Sequence, residues 1–485
     1  MLLLIAGLFA LFLVIGLPVA FALALAAIPV FILTGTMPPT VALQKMVTAT
    51  QSFPLLAVPF FILAGNLMNV TGITDRLVRF ARLLTGWLAG GLAQVSIVLS
   101  FMMGGISGSA VADASMEARV LGPGMIAQGY SKGSTAAILA FGSIITATIP
   151  PSIGLILFGF INEVSIGRLF LAGLIPGIVL TLVLMATTWL VAKKRGYKAD
   201  LPEVPTAREL GASFLESIWA LAFPIILIVG FRFGFFTATE AGVFLVFYAL
   251  FIGTVVYRDL TLARLYEAIT SSVSDLGMIM LLIMMAAVLG YAVTIERAPQ
   301  EITEWVTTLT DDPRVVLLLV VVLLIVSGMF LEGAANILLV TPIVLPVLVD
   351  AGYNPVHMGI LIVTLINIGG LTPPVGVIMF TVCGILRCRT GEFSAASVPF
   401  FVANLIPSVV GVSLYRFVLT TFLGIIPGGV VYTSVGAGLG EVFASGESPD
   451  LGLIFEPHIL LPLLGLCMLA ALPIFIKALR GGKDI

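Results

Sequence analysis

Charge is scarce in this sequence. Asp, Glu, Lys and Arg make up 10% of its 485 residues, hydrophobic residues 60%, and mean hydropathy is +1.19. Soluble domains run at roughly a quarter charged, so a soluble domain of any size is excluded. Histidine is almost missing, with His357 and His458 the only two. Three cysteines, Cys383, Cys388 and Cys467, lie in or beside apolar segments without metal-ligand spacing or a disulfide framework, and they read as packing thiols. A transition-metal centre and a stapled secreted fold are thereby disfavoured. The net charge of −2 comes with no basic patch interleaved with aromatics, which leaves no surface for nucleic acid.

What is present is a series of apolar runs that reach the ~18–20 residues needed to cross a bilayer. The pattern predicts a polytopic all-α membrane protein. The first run, Leu2–Leu33, is too long for a signal-peptide core and is expected to be retained, with Pro18 and Pro29 bending or breaking it. Two runs differ from the rest. Leu83–Met125 and Val315–Val349 carry small polar patches in mid-run, "GGISGSAVADA" and "SGMFLEGAAN", and read as re-entrant hairpins. With that assignment Arg76, Arg79, Arg82, Lys132, Lys193–Lys198, Arg208, Arg258, Arg264, Arg387 and Arg389 fall on one face, which the positive-inside rule makes cytoplasmic.

Two apolar segments break themselves with paired prolines, in "ITATIPPSIG" and "GGLTPPVG". A shift of 223 residues carries Pro123 onto Pro346, Gly129-Tyr130 onto Gly352-Tyr353, Pro150-Pro151 onto Pro373-Pro374 and Pro176 onto Pro399. Four complete crossings separate the two broken segments, so they run in opposite directions and the repeat is inverted. Inverted repeats with broken helices at the midplane are a mark of secondary transporters. Irregular backbone is tolerated at that depth only where protein or water satisfies it. Freed carbonyls with Thr and Ser hydroxyls form an oxygen-only set that suits sodium better than a transition metal. Half-helix N-termini offer partial positive charge to an anion.

These stretches resemble a known family, the large membrane subunit of tripartite ATP-independent periplasmic (TRAP) transporters. The resemblance rests on "FPLLAVPFFILAGNLM", "GGISGSAVADA" with "MIAQGYSKGSTAA", "IPPSIGLILFGFINEVSIGRLFLAGLIPG", "FGFFTATEAGV", "TIERAPQ", "GMFLEGAANILLVTPIVLPV" and "LTPPVGVIMF", and it covers roughly residues 1–400. It implies an elevator-type mechanism driven by sodium, organic-acid substrates such as C4-dicarboxylates, a periplasmic substrate-binding protein, a small four-helix membrane subunit and a bacterial inner-membrane location. The expected layout is scaffold helices over 1–82, a first repeat core over 83–176, connecting scaffold helices over 177–300, a second repeat core over 301–402 and an atypical tail over 403–485 with one or two further spans.

The resemblance implies a first sodium site of Ser107, Gly108 and Ser109 with Gly142, Thr146, Thr148, Ile149 and Pro150. It implies a second of Gly333, Ala334 and Asn336 with Gly370, Leu371, Thr372 and Pro373. The anion should lie between the tips, near Ser107, Ser109, Asn336 and Thr372. Small residues also serve close helix packing in membranes, an alternative weighed against the site at each tip. Asp113 and Glu332 are intramembrane carboxylates, expected to contact ion or substrate or else to pair or cap a helix. Arg119 could pair with Asp113 or Glu117, and His357 reads as a cap or interface residue.

Beyond about Val402 the pattern departs. "SLYRFVLTTFLGIIPGGVVY" resembles a fragment of the DedA (SNARE-associated) membrane family without that family's N-terminal half, and a fused or chimeric tail is expected there. Two rivals remain. A stand-alone sodium/dicarboxylate symporter would work without a binding protein. An intramembrane serine protease would use Ser107 in "GISG", but four residues form a weak motif, and an enzyme gives no reason for the second Pro-Pro break.

Overall fold

Proline and glycine cut the apolar sequence into helices of unequal length. The computed structural model describes residues 2–410, apart from 34–37, 39 and 311. The tail beyond 410, with His458, Cys467 and the stretch similar to DedA proteins, lies outside the described residues. At the start, α1 (Leu2–Val14) and α2 (Val19–Leu33) are separate helices packed on each other. Gly16 takes a φ of +88° between them, ahead of Pro18, while Pro29 stays inside α2. Then come α3 (Thr40–Ala49), a 3-10 turn over Phe53–Leu56, α4 (Ala57–Val70) and α5 (Ile73–Thr85), which bends away from α4 by 70°.

The first hairpin is α6 (Gly91–Gly104) with α7 (Ala110–Val120) and the short α8 (Gly122–Ala127). The first broken helix is α9 (Lys132–Thr148) with α10 (Ile153–Ile161), bent by 47°. Four long helices follow: α11 (Ile166–Arg195), α12 (Ala207–Arg232), α13 (Ala238–Phe251, continued by a π turn over Ile252–Val256) and α14 (Leu262–Ile295). The second set is α15 (Ala298–Leu309), α16 (Pro313–Phe330), α17 (Gly333–Asp350), α18 (Pro355–Gly369), α19 (Val377–Leu386) and α20 (Thr390–Val410). Among the described residues there is no strand. Among these same described residues, six helices are long and apolar enough to cross a membrane, or up to eight spans if each bent pair counts as one.

The repeat is visible element by element. The same shift lays α6, α7, α9, α10 and α11 over α16, α17, α18, α19 and α20, and Gly129 (φ +92°) over Gly352 (φ +91°). Both Pro150-Pro151 and Pro373-Pro374 are cis. It also lays α5 over α15, a pair of amphipathic helices that a search for apolar runs passes over. The arms of the second hairpin, α16 and α17, are 18 residues each and long and apolar enough to cross a membrane. Re-entrant or crossing, a pair of arms returns the chain to the side it left. After the four long helices, α18 and α19 therefore run opposite to α9 and α10.

Packing binds the two repeats together. Helix α6 lies on α9 and α16 on α18, while α10 contacts α17 and α18, and α19 contacts α7 and α9. Glycine sets the closest approach: a Cβ on Gly369 would fall 2.7 Å from the Gly328 Cα. Around this core α4 packs on α13 and α14, and α5 on α12. The loop after α11 is tied down by Asp200, which accepts from Arg82 Nε at 2.5 Å and from Gln128 Nε2 at 2.6 Å.

Candidate functional site

Helix α9 must end where it does. Pro150 and Pro151 have no N–H, so the Thr146 and Ala147 carbonyls lose their helical donors. Ser152 repairs half of this deficit, because its Oγ donates to Ala147 O at 2.6 Å and accepts from Leu155 N at 3.3 Å as the N-cap of α10. The first hairpin tip docks against this break: Gly108 O accepts from Ile153 N at 3.2 Å. Gly108 has a φ of +63°, and a Cβ there would stand 2.3 Å from Pro151 O. In the second repeat Gly376 N donates to Met329 O at 2.8 Å, joining break to hairpin again. Gly370 O accepts from Ile378 N at 3.0 Å, and Thr372 Oγ1 donates to Ile368 O at 2.9 Å.

Both tips meet at one cavity of about 380 Å³. Ser107, Gly108 and Ser109 line it from the first hairpin, and Glu332, Gly333 and Ala334 from the second. The breaks contribute Ala147, Ile153 and Gly154 on one side and Gly370, Val377 and Ile378 on the other. Two repeat-related tips at one cavity are more than close packing of small residues requires. The tips are not chemically equal. Ser109 caps α7 with a neutral hydroxyl that accepts from Ala112 N at 3.4 Å. Its counterpart Glu332 caps α17 with a carboxylate that accepts from Ala334 N at 3.0 Å and Ala335 N at 3.2 Å.

The remaining residues singled out in the sequence, Thr372 and Asn336 among them, do not line the cavity. Gly142 faces α6, where a Cβ would meet Ser100 Oγ at 3.4 Å. Thr148 Oγ1 donates to Ile144 O at 3.0 Å, and Ile149 packs against Gly104 and Gly177. Asp113 is buried in a hydroxyl cluster. Its Oδ2 lies 2.7 Å from both Ser100 Oγ and Thr146 Oγ1, while Glu117 accepts from Ser96 Oγ at 2.5 Å and lies 3.0 Å from Ser100 Oγ. Arg119 is exposed, so hydroxyls rather than a guanidinium partner these acids. Among the described residues the Asp113 Oδ1 has no hydrogen-bond partner, and neither does either amide atom of Asn336. Asp113 and Asn336 are the same repeat position, so a buried, unsatisfied oxygen recurs behind each tip. Leu371 is buried, whereas Pro373 is exposed. His357 is buried near the start of α18, whose cap is Asn354, and it does not line the cavity.

Four polar cavity residues were not foreseen. Asn66 and Asn69 of α4, Asp275 of α14 and Asn367 of α18 all line it. Asn66 Nδ2 lies 3.0 Å from Ser272 Oγ and 3.2 Å from Asp275 Oδ2. The spacings 66/69 and 272/275 put each pair on one helix face, the signal that could have revealed them.

Residues 6–417 match the family model for the DctM component of tripartite ATP-independent periplasmic transporters. The chain belongs to this family. Two relatives bear it out. The 2,3-diketo-L-gulonate TRAP transporter large permease protein YiaN of Escherichia coli is 35% identical over 388 residues, 80% of this chain and 90% of its own length. The sialic acid TRAP transporter large permease protein SiaM of Vibrio cholerae is 38% identical over 371 residues, 76% of this chain and 86% of its own. The crystal structure of the YdaH transporter of Alcanivorax borkumensis, described as having an unusual topology, shares the fold with a TM-score of 0.52 and 15% identity, covering 78% of this chain and 87% of that one. The chain is thus a TRAP-family permease subunit, multi-pass in a membrane, and its relatives are transporters rather than enzymes.

Proposed function

We propose that this permease imports an organic acid across the bacterial inner membrane by sodium symport, receiving it from a periplasmic binding protein and working beside a small four-helix membrane subunit. The observation that carries the proposal is the convergence of two repeat-related tips on one cavity, with an unsatisfied buried oxygen behind each. A partner-free oxygen in a buried site costs about 1–3 kcal/mol, and a hard monovalent cation relieves that cost. The first sodium would use Ser107, Gly108 and Ser109 with the Thr146 carbonyl and Asp113; the second would use Gly333, Ala334, Asn336 and Gly370. Bound cations at the tips offset the charge of an entering carboxylate, which couples the two ligands. Relatives are named for diketogulonate, sialic acid, isethionate and C4-dicarboxylate, so the family leaves the acid open.

The division into a mobile core and a scaffold follows the same logic. The hairpins and broken helices interlock, whereas α4 and α14 close one wall of the cavity from outside that core. Asn69 stands just before the bend that leads to Arg76, Arg79 and Arg82, and Asp275 sits toward the Arg264 end of α14. Both ends belong to the basic face. On the reading that this basic face is cytoplasmic, these positions suit the inward-facing state of an elevator cycle.

Sodium should stabilise the purified protein against heat, relative to equimolar potassium. Asn336→Ala and Asp113→Ala should each raise the sodium concentration for half-maximal stabilisation by tenfold or more, while folding in detergent is retained. Equal stabilisation by potassium, or variants with unchanged sodium response, would count against the coupling ion and its sites.

A further inference from the structure

The cavity has an unusual charge inventory for a site that takes anions. Among the described residues, its lining includes Asp275 and Glu332 but no Lys, Arg or His. Of the two hairpin-helix N-termini, that of α17 already holds an internal carboxylate, because Glu332 occupies the Ala334 and Ala335 N–H groups. The N-terminus of α7 is capped only by the Ser109 hydroxyl, and Ser109, Ala110, Val111 and Ala112 all line the cavity. In backbone N–H groups the repeat therefore offers a substrate carboxylate one open helix N-terminus rather than two. On the facing wall, Asp275 is exposed to the cavity, and its Oδ2 has Asn66 Nδ2 as its partner at 3.2 Å. A second substrate carboxylate reaching that wall would meet a like charge with no base to offset it. A hydroxyl would instead find an acceptor in Asp275, whose carboxylate has lone pairs left after the bond from Asn66. Asn66, Asn69 and Asn367 add mixed donors and acceptors around it.

We infer that Asp275, held by Asn66, is a specificity-determining residue that selects a hydroxylated monocarboxylate over a dicarboxylate. This rests on the sodium-symport proposal above and narrows its substrate class. The carboxylate sits at the first hairpin tip, and the hydroxylated end extends to α4 and α14. A site built around hydroxyl partners rejects analogues that lack them, because its polar groups are then left unpaired. Asp275 also penalises the wrong ligand, so selectivity has both an attractive and a repulsive component.

The test is ligand-induced thermal stabilisation of the full chain, co-purified with its small subunit, in sodium and in potassium. Gluconate and glucuronate serve as hydroxylated monocarboxylates, succinate and fumarate as dicarboxylates. In sodium, at least one hydroxylated acid should bind roughly tenfold or more tightly than either dicarboxylate. Asp275→Ala should abolish that preference. Asp275→Asn, which keeps an acceptor and removes the charge, should retain most of the gluconate or glucuronate affinity and gain succinate affinity. A dicarboxylate that binds as tightly as the hydroxylated acids, or selectivity unchanged in Asp275→Ala, overturns the inference and leaves sodium symport standing. If no acid binds more tightly in sodium than in potassium, the symport proposal fails and this one with it. Asn66→Ala provides a second variant should the Asp275 substitutions not fold, and its expected result is a several-fold loss of the same preference.

Discussion

Gly108 is held at a φ of +63° with Pro151 O where a Cβ would stand. Left-handed backbone costs a non-glycine residue about 1–2 kcal/mol, and the collision adds to that. Gly108→Ala should therefore lower thermal stability modestly and abolish transport, since the tip can no longer seat on the break; near-normal uptake by this variant would contradict the docking described. Single residues were unequally legible. Asp113 and Glu332 stand out because charge is so rare in the apolar runs, and Glu332 proves to be a helix cap, one of the roles weighed for it. Asp275 did not stand out, because it lies just before the apolar stretch of a helix that begins at Leu262, and nothing local says which face it presents. Glu117 was visible only as a possible partner for Arg119, because the hydroxyls of Ser96 and Ser100 approach it from another helix.

Elements were legible where backbone chemistry forces them. Paired prolines end a helix wherever they fall, so both breaks could be read directly, and the shared spacing around them exposed the repeat. Amphipathic α5 and α15 escaped notice because their apolar residues form a stripe rather than a run. One contact between elements bears on the proposed sliding of core against scaffold. Gly105 at the end of α6 faces Pro224 of α12, where a Cβ on Gly105 would lie 2.6 Å from the Pro224 Cβ. Disulfides need Cβ atoms about 3.5–4.5 Å apart, so a small adjustment lets Gly105→Cys and Pro224→Cys join. With Cys383, Cys388 and Cys467 replaced by alanine, oxidation of this pair should stop uptake and a reductant should restore it. Full uptake by the oxidised protein would mean that α6 and α12 do not move apart during transport.

At the scale of the whole molecule, a polytopic architecture follows from hydropathy, and the inverted sense of the repeat follows from counting four long helices between its halves. What the sequence could not supply is the meeting of both tips at one cavity, or the completion of that cavity by α4 and α14. Those depend on packing between segments about two hundred residues apart (Asn66 and Asp275 are separated by 209). The central claim is that this cavity couples sodium entry to organic-acid uptake and is served by a binding protein. The most direct measurement is uptake of radiolabelled organic acids into proteoliposomes that hold the permease with its small subunit. The cognate binding protein is supplied outside, with and without an inward sodium gradient. Uptake that requires both the gradient and the binding protein is the expected result. Uptake that proceeds equally well without sodium, or that ignores the binding protein, would contradict the account.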